Sequence, residues 1–242
     1  MNLSKKIRSV INRIMPSRCI VCQSDSDELF CPSCAAKILA ESMMICDKCG
    51  SRVSLCRCMP ETLKEAGCSS FASIFYYDKN SDDASRRLIL RLKTQNINDG
   101  FDFLAENMAA SVGNKDGFLI TNIPRRKSSF RTCAFDQAQK LAKALAAQLG
   151  CEYKSIITRK GNTVQKELSM KERIEAADRS YEIHGDKCRG RRILLVDDVV
   201  TTGASLAACT RLLYEHGAAE VQVVTAARSR SGHQTEEHTH IE

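Results

Sequence analysis

The sequence predicts an α/β protein, in which helices flank a parallel sheet and a separate cysteine-rich segment precedes it. Residues 193–196 form a short, continuous apolar run, Ile-Leu-Leu-Val, which suits a central strand that is buried on both faces. Strand-like and helical patterns alternate from residue 68 onward. Residues 19–58 contain eight of the thirteen cysteines and few large apolar residues, so this segment is too poor in apolar groups to build its own core.

The cysteine-rich segment is predicted to be a zinc module, because its cysteines come in close pairs. A C-x2-C knuckle turns both thiolates toward one ion, and two pairs complete a tetrahedral shell with no open position. The pairs are Cys19 and Cys22, Cys31 and Cys34, Cys46 and Cys49, and Cys56 and Cys58. Sequential and interleaved pairing into two sites both fit the spacing, and one zinc ion with spare thiols is the remaining alternative. No histidine precedes His184, so a structural zinc is expected rather than a catalytic one.

The composition provides enough apolar residues for a core, 43% of 242, and a formal net charge of +7. No stretch reaches membrane-spanning length and the N-terminus has no apolar signal-peptide core, so we expect a cytoplasmic chain without stable membrane insertion. In that compartment cysteines favour metal over disulfides. The positive charge favours polyanionic partners, either phosphorylated metabolites or nucleic acid.

Three parts are predicted along the chain. Residues 1–60 comprise a basic amphipathic helix over 2–15 and the zinc module, residues 68–228 form the α/β domain, and residues 229–242 form a disordered tail. The strands of the domain are expected at residues 71–77, 118–123, 155–158, 193–196 and 221–226. Its helices are expected at residues 82–94, 101–112, 134–149 and 206–216. The polar stretch 162–178 is expected to be a mobile loop over the site.

Two carboxylates and a small polar turn follow the central apolar run. Asp197 and Asp198 are expected at the carboxyl end of the strand, the edge at which open α/β sheets bind ligands. The next five residues offer backbone N–H groups and hydroxyls for a monophosphate: Thr201, Thr202, Gly203, Ala204 and Ser205. Ionised carboxylates accept hydrogen bonds from both ribose hydroxyls and can share a divalent cation, so the pattern favours a phosphoribosyl ligand. An acidic strand end followed by an ordinary helix N-cap is the alternative.

Residues 195–205 resemble the 5-phosphoribosyl 1-diphosphate (PRPP) signature of type I phosphoribosyltransferases. With the cysteine-rich front segment, the chain resembles the ComF family of competence-associated proteins, which pair a zinc ribbon with such a domain. The family pattern Arg…Thr-x-Gln-x-x-Leu…Arg is matched by Arg159, Thr163, Gln165, Leu168 and Arg173. The resemblance implies the type I phosphoribosyltransferase fold, one or two structural Zn ions, and Mg²⁺ bound together with PRPP.

The resemblance also implies roles for individual residues. Asp197 and Asp198 are the expected catalytic pair, and the turn 201–205 is the expected site of the 5-phosphate. The loop after the strand 118–123 would hold the diphosphate through Arg125, Arg126 and Lys127, with a solvated basic turn as the alternative. The flexible loop would contribute Arg159, Gln165 and Arg173. Departures from the family pattern all fall on the diphosphate and acceptor side of the site: Asn122-Ile123-Pro124, Ser129, Cys133 and Ala176.

Two functions follow from the resemblance. The first is an enzyme that transfers phosphoribose from PRPP to a nitrogen acceptor and releases diphosphate. The second is a non-catalytic PRPP- or nucleotide-sensing adaptor in DNA uptake, which binds single-stranded DNA or a competence helicase. Aromatic residues make up 5% of the chain and include no Trp, so a base-stacking platform has little support. The acceptor and the oligomeric state are left open.

Overall fold

A computed structural model describes residues 18–113, 117–125, 135–160, 180–183 and 185–230. The helices, numbered here in chain order, are α1 Pro32–Ser42, α2 Glu61–Glu65, α3 Ala84–Thr94, α4 Asn98–Ser111, α5 Gln137–Leu149 and α6 Ala204–Glu215. The strands are β1 Ser70–Tyr77, β2 Phe118–Asn122, β3 Glu152–Tyr153, β4 Ile157–Arg159, β5 Tyr181–Ile183, β6 Arg192–Val200 and β7 Glu220–Ser229. The helix predicted at 2–15, the loop predicted at 162–178 and most of the predicted tail lie outside the described residues.

Five strands form one parallel sheet in the order β1-β7-β6-β2-β3, which confirms the predicted α/β fold. Because all five strands run in the same direction, their carboxyl ends meet at one edge of the sheet. Strand β6 lies in the middle, paired with β7 on one side and β2 on the other. The apolar run is fully buried there, with Ile193, Leu195 and Val196 at 0% exposure.

The central strand is longer than predicted, because β7 keeps pairing with it beyond the apolar run. Asp197 pairs with Thr225, and Val200 pairs with Arg228. On the other side β2 ends at Asn122, which pairs with Val196. The prediction that both acids follow the strand is therefore wrong. They lie within β6, but beyond the end of β2, where that side of the strand opens into a crevice.

Both faces of the sheet are covered by helices, as a parallel sheet requires. Successive residues of β6 point to opposite faces, so Leu194 belongs to one buried cluster and Leu195 to the other. The first cluster includes the buried residues of α3, α4 and α5, and the second includes those of α2 and α6. The sheet thereby holds its carboxyl edge between two packed layers.

The region after α5 differs from its prediction. A single strand was expected at 155–158, but the chain forms two short strands with different partners. Strand β3 extends the main sheet beside β2, whereas β4 pairs with β5 in an antiparallel two-stranded sheet. The strand β5 had no sequence prediction. Helix α5 itself begins at Gln137 rather than at 134, because Asp136 caps it by accepting a hydrogen bond from the Gln139 N–H.

The cysteine module packs directly against the α/β domain. Cys19, Ile20 and Ile38 are part of the same buried cluster as α3 and α4. The Glu41 carboxylate of α1 accepts hydrogen bonds of 2.8 Å from the backbone N–H groups of Ala84 and Ser85, and so caps α3. The division of the chain at residues 60 and 68 stays a prediction. Among the described residues, no helix has both the length and the apolar character to cross a membrane.

Candidate functional site

The two acids of β6 are held by the backbone that follows them. The Asp198 N–H donates to Asp197 Oδ1 at 2.9 Å, and the Val199 N–H donates to Asp198 Oδ1 at 2.7 Å. These N–H groups are available because β2 has already ended at this level of the sheet. One oxygen of each carboxylate thus orients the side chain, and Asp198 Oδ2 pairs with Lys93.

Burial raises the pKa of the Asp197 carboxyl well above its ordinary value, and the adjacent Asp198 charge raises it further. Lys93 acts in the opposite direction. Two carboxylates this close to one another are stable as a fully ionised pair only when cations face them. The acid pair is therefore ready to accept a bound cation or a set of hydrogen-bond donors.

A cavity of about 290 Å³ opens beside the acid pair at the carboxyl edge of the sheet. It brings together residues from seven separate stretches of the chain. Five of its lining residues are among the predicted site residues: Arg125, Arg159, Asp197, Asp198 and Ser205. Three further charged or hydroxyl-bearing residues in its wall had no predicted role: Lys93, Asp136 and Tyr181.

Lys93 comes from the last turn of α3 and forms an ion pair with the acid pair. Its Nζ lies 3.1 Å from Asp198 Oδ2, and the Lys93 side chain is one-third exposed. The sequence offered no way to single it out, because α3 carries several basic residues. Leu88 and Leu92 are buried and so fix the orientation of the helix. Lys93 lies in the last turn of that helix, and this position brings it into the cavity.

The loop after β2 is tied to the start of α5. The Arg125 N–H donates to Asp136 Oδ2 at 3.0 Å, and Arg125 Nη1 donates to the Phe135 carbonyl oxygen at 3.3 Å. Asp136 thus caps α5 and fixes this loop at the same time. Arg125 lines the cavity. Arg126 and Lys127, the other predicted diphosphate ligands, lie outside the described residues.

The small sheet of β4 and β5 forms the opposite wall. Arg159 Nη1 donates to the Tyr181 hydroxyl at 3.0 Å, and the guanidinium lies 5.0 Å from the centre of the Tyr181 ring. Burial raises the pKa of Tyr181, so this hydroxyl stays protonated near neutral pH. Of the predicted flexible-loop residues, Arg159 lies in this wall, whereas Gln165 and Arg173 lie outside the described residues.

The predicted phosphate turn leads into the N-terminus of α6. Gly203 has φ 78°, a left-handed conformation that glycine adopts without strain, and it precedes the first helical residue. Ala204 and Ser205 therefore belong to the helix rather than to the turn before it. The Ala204 N–H donates to Thr202 Oγ1 at 3.4 Å. Gly203 offers no side-chain cap and the first turn has no acidic residue, so the N–H groups that follow Ala204 favour an anion.

The cysteines form two compact groups in sequence order. One contains Cys19, Cys22, Cys31 and Cys34, and the other contains Cys46, Cys49, Cys56 and Cys58. Within each group all four Sγ atoms lie within 4.8 Å of one another. Two of the Sγ–Sγ distances are 3.6 Å and 3.4 Å, close to the roughly 3.8 Å that a tetrahedral shell of Zn–S bonds requires. Each group could hold one zinc ion with four sulfur ligands.

Both groups begin with the same backbone knuckle. The Cys19 carbonyl accepts a hydrogen bond from the Gln23 N–H, and the Cys46 carbonyl accepts one from the Gly50 N–H, at 2.9 and 2.8 Å. Gln23 and Gly50 both have a left-handed φ, 65° and 70°. The second halves differ, because Cys31 and Cys34 lie at the N-terminus of α1, whereas Cys56 and Cys58 lie on a short loop. Sequential pairing follows from this local folding, which the cysteine spacing alone left undecided.

Two thiols of the first cysteine group favour the thiolate even without metal, whereas burial raises the pKa of the Cys34 thiol to about 12. Hydrogen bonds from Ser24 lower the pKa of the Cys22 thiol to about 6. Backbone hydrogen bonds at Cys34 likewise lower the pKa of Cys31, which lies at the start of α1, where the helix dipole favours negative charge. A thiol that is already partly ionised gives up its proton to a metal at little cost. These properties fit a closed zinc site rather than inert core cysteines.

Comparison with known proteins agrees with this architecture. A family model described as phosphoribosyl transferase domain matches residues 136–241. The DNA utilization protein YhgH of Salmonella typhi is 36% identical over 112 residues, which are 46% of this chain and 49% of that protein. An adenine phosphoribosyltransferase of Nocardia farcinica is 33% identical over 132 residues, 53% of this chain and 60% of that protein. The chain thus spans about half the length of the curated relatives it matches.

A solved adenine phosphoribosyltransferase from Thermoanaerobacter pseudethanolicus has 17% identity and a TM-score of 0.37, over 54% of this chain and 80% of that one. Residues 136–241 are thus similar to a phosphoribosyl transferase domain, and the parallel sheet with helices on both faces fits the predicted type I fold. Two four-cysteine groups precede that domain. Four-cysteine groups followed by a region similar to a phosphoribosyl transferase domain are the arrangement that the resemblance implied.

Proposed function

We propose that the chain binds PRPP at the carboxyl edge of its sheet. The 5-phosphate would lie on the turn 201–205, and Asp197 and Asp198 would accept hydrogen bonds from the ribose hydroxyls. One observation carries the proposal: a single cavity unites the acid pair, Ser205 of the first turn of α6 and the cation Lys93. The family match to a phosphoribosyl transferase domain supports the same ligand.

The acid pair also fits a magnesium ion. Both carboxylates line the same cavity, and carboxylate oxygens are ligands that Mg²⁺ accepts readily. Asp197 and Asp198 would hold the ion together with oxygens of PRPP. When bound, Mg²⁺ would supply positive charge that neutralises the diphosphate.

We propose a transfer reaction in which positioning and charge, rather than covalent chemistry of side chains, carry the rate. A nitrogen acceptor would attack C1 of the ribose. The C1–O bond would break with its electron pair leaving on diphosphate, and the nitrogen would lose a proton after the C–N bond forms. The acid pair would fix the ribose, while Lys93 and Arg125 would face the departing diphosphate together with Arg126 and Lys127 of the same loop.

Release of diphosphate tests this reaction. The zinc-loaded protein is incubated with Mg²⁺, PRPP and pooled nucleobases and amines, and diphosphate is measured with a coupled enzyme assay. We expect release that depends on the acceptor pool and is lost in Asp198→Asn. The matched control is Asp186→Asn, which removes an exposed carboxylate remote from the cavity. Absence of release in the unmodified protein, with PRPP still bound, would rule out the enzyme.

We propose, as the alternative, a PRPP-sensing adaptor in DNA utilization that works in the cytoplasm. The name of the Salmonella typhi relative and the net charge of +7 support this function. Its partner would be single-stranded DNA or a competence helicase. Fluorescence anisotropy with a labelled oligonucleotide, at two salt concentrations and with or without PRPP, tests it. The adaptor requires an affinity that falls steeply with salt and changes with PRPP, so a PRPP-independent affinity contradicts it.

A further inference from the structure

The phosphate turn is contacted from behind by the end of the cysteine module. Helix α2 follows Cys58 closely in the chain, and Thr62 Oγ1 donates a 2.8 Å hydrogen bond to the Thr202 carbonyl oxygen. A Cβ atom placed on Gly203 would lie 2.6 Å from Thr62 Oγ1 and 3.4 Å from Pro60 Cβ. The turn and this segment are therefore packed so closely that one cannot shift without the other.

The same end of the module is tied to the sheet by a buried arginine. Arg228 of β7 is 7% exposed, and its Nη1 donates to the Cys58 carbonyl oxygen at 2.7 Å. Its Nε and Nη2 atoms are buried and have no hydrogen-bond partner among the described residues. The guanidinium lines a small cavity together with Cys46 and Cys58 and lies 5.3 Å from the centre of the Tyr76 ring. Arg228 also pairs in register with Val200, directly before the turn.

A metal in the second cysteine group would give Arg228 the partner that it lacks. One Zn²⁺ with four thiolates has a net charge of about −2, and metal-bound thiolates accept hydrogen bonds from neighbouring donors. A buried cation beside four neutral thiols is costly, but the same cation beside a zinc–thiolate site is paired. The donor set and its orphaned N–H groups thus fit zinc in the group of Cys46, Cys49, Cys56 and Cys58.

We propose that Thr62 and Arg228 are positioning residues that couple metal in the second cysteine group to the phosphate turn. Metal there orders the segment 58–62, Thr62 then holds the Thr202 carbonyl, and the turn keeps the shape that binds the 5-phosphate. The inference rests on the proposed PRPP site and names a device that regulates it. Among the described residues, no hydrogen bond joins the first cysteine group to the phosphate turn. This group packs on the buried cluster of α3 and α4, and Glu41 caps the end of α3 opposite to Lys93.

The two groups therefore serve as matched controls for one another. Cys22→Ser and Cys49→Ser each remove one exposed thiol from one group, and each variant should bind about one zinc ion fewer than the unmodified chain. With zinc content measured by mass spectrometry, PRPP affinity is determined by calorimetry in Mg²⁺. We expect Cys49→Ser to weaken PRPP binding at least tenfold and Cys22→Ser to change it by less than about twofold. Equal losses in both variants would overturn the coupling and leave the PRPP site intact.

A second pair of variants avoids disturbing the metal. Thr62→Val removes the hydroxyl at nearly the same volume, and Thr62→Ser keeps it. We expect Thr62→Val to weaken PRPP binding about fivefold at full zinc content, as loss of one hydrogen bond implies, and Thr62→Ser to restore it. If Thr62→Val binds PRPP as tightly as the unmodified chain, the coupling is refuted.

Linkage provides a readout that requires no activity. If metal strengthens PRPP binding, PRPP must retain the metal by the same factor. The rate of zinc transfer from Cys22→Ser, which keeps only the second group, to a chromogenic chelator should fall several-fold with PRPP and not with ribose. The rate of zinc transfer from Cys49→Ser, which keeps only the first group, should not change with PRPP. Arg228→Met should release its second-group zinc about tenfold faster. If PRPP instead slows zinc transfer from the first cysteine group, the proposal is contradicted. If neither the unmodified chain nor any variant binds PRPP, the PRPP site itself is refuted.

Discussion

Replacing Gly203 by Ala should destabilise the chain more than the same change at Gly150. Both glycines have a left-handed φ, 78° and 63°, so an Ala at either position carries the same backbone strain. They differ in their surroundings. Nothing lies within 4 Å of a Cβ added to Gly150, whereas a Cβ added to Gly203 meets Thr62 Oγ1 at 2.6 Å. Gly150→Ala therefore measures the strain alone, and the excess at Gly203 measures the contact with α2.

The expected size follows from the contacts. A left-handed Ala costs about 1 kcal/mol. At Gly203 the Thr62 side chain must also move away, which loses its hydrogen bond to Thr202, about 1 kcal/mol more, plus some packing. We expect a loss of about 2–3 kcal/mol at Gly203 against about 1 kcal/mol at Gly150. For a chain of this length those values correspond to decreases in Tm of about 5–10 °C and 2–4 °C.

Differential scanning calorimetry of the zinc-loaded protein measures the decreases in Tm for Gly203→Ala and Gly150→Ala. Thr62→Ala provides the internal check, because it removes the atom with which the new methyl group collides. In a double-mutant cycle, Gly203→Ala combined with Thr62→Ala should cost about 1 kcal/mol less than the sum of the two single changes. Equal Tm values for Gly203→Ala and Gly150→Ala, or strict additivity in the cycle, would refute the close packing of α2 on the turn.

Three further changes test other parts of the site. Asp197→Asn should abolish PRPP binding yet raise Tm, because the folded protein resists ionising this carboxyl. In the unmodified protein, the raised pKa of Asp197 costs no stability below the ordinary pKa of 3.8, and the cost grows as the pH rises toward the higher pKa of the folded state. The gain in Tm from Asp197→Asn should therefore be larger at pH 8 than at pH 4. A gain that shrinks with pH would contradict this. Lys93→Met should weaken PRPP binding about tenfold and move its pH dependence to higher pH, because the acid pair loses its cation; an unchanged pH profile in calorimetry would exclude that role. Glu41→Ala should lower the stability by about 1–2 kcal/mol through loss of the cap on α3, and guanidinium unfolding with an unchanged midpoint would show that the cap contributes nothing.

Local patterns in the sequence were sufficient for the central strand and for the residues that follow it. The apolar run at 193–196 required burial on both faces, and the structure provides it. The end of β6 was misjudged, because a strand ends where its neighbours stop pairing with it. The register of β7 along Asp197 to Val200 is a tertiary property that no local pattern contains.

The residues that the sequence missed are those that reach the site from a distance. Thr62 contacts Thr202 across 140 positions in the chain, and neither residue belongs to a recognisable pattern that includes the other. Lys93 lies among other basic residues of α3, and only the packing of that helix separates it from them. Strand β5 has three residues, too few for a period to be visible. Its residue Tyr181 was missed for that reason.

The cysteine pairs illustrate the same limit. Their spacing predicted metal ligands, because paired thiolates at two-residue intervals curl toward a common point. Spacing could not decide between sequential and interleaved groups. That choice depends on the two hydrogen-bonded knuckles and on the start of α1, which bring the pairs of each group together before any contact with the other.

Titration of PRPP into the zinc-loaded chain in the presence of Mg²⁺ tests the central claim most directly. Calorimetry should detect about one PRPP bound per chain, and the double variant Asp197→Asn/Asp198→Asn should give no binding while its thermal unfolding stays cooperative. No heat from the unmodified chain, or the same affinity after both carboxylates are replaced, would contradict a phosphoribosyl site at the end of β6.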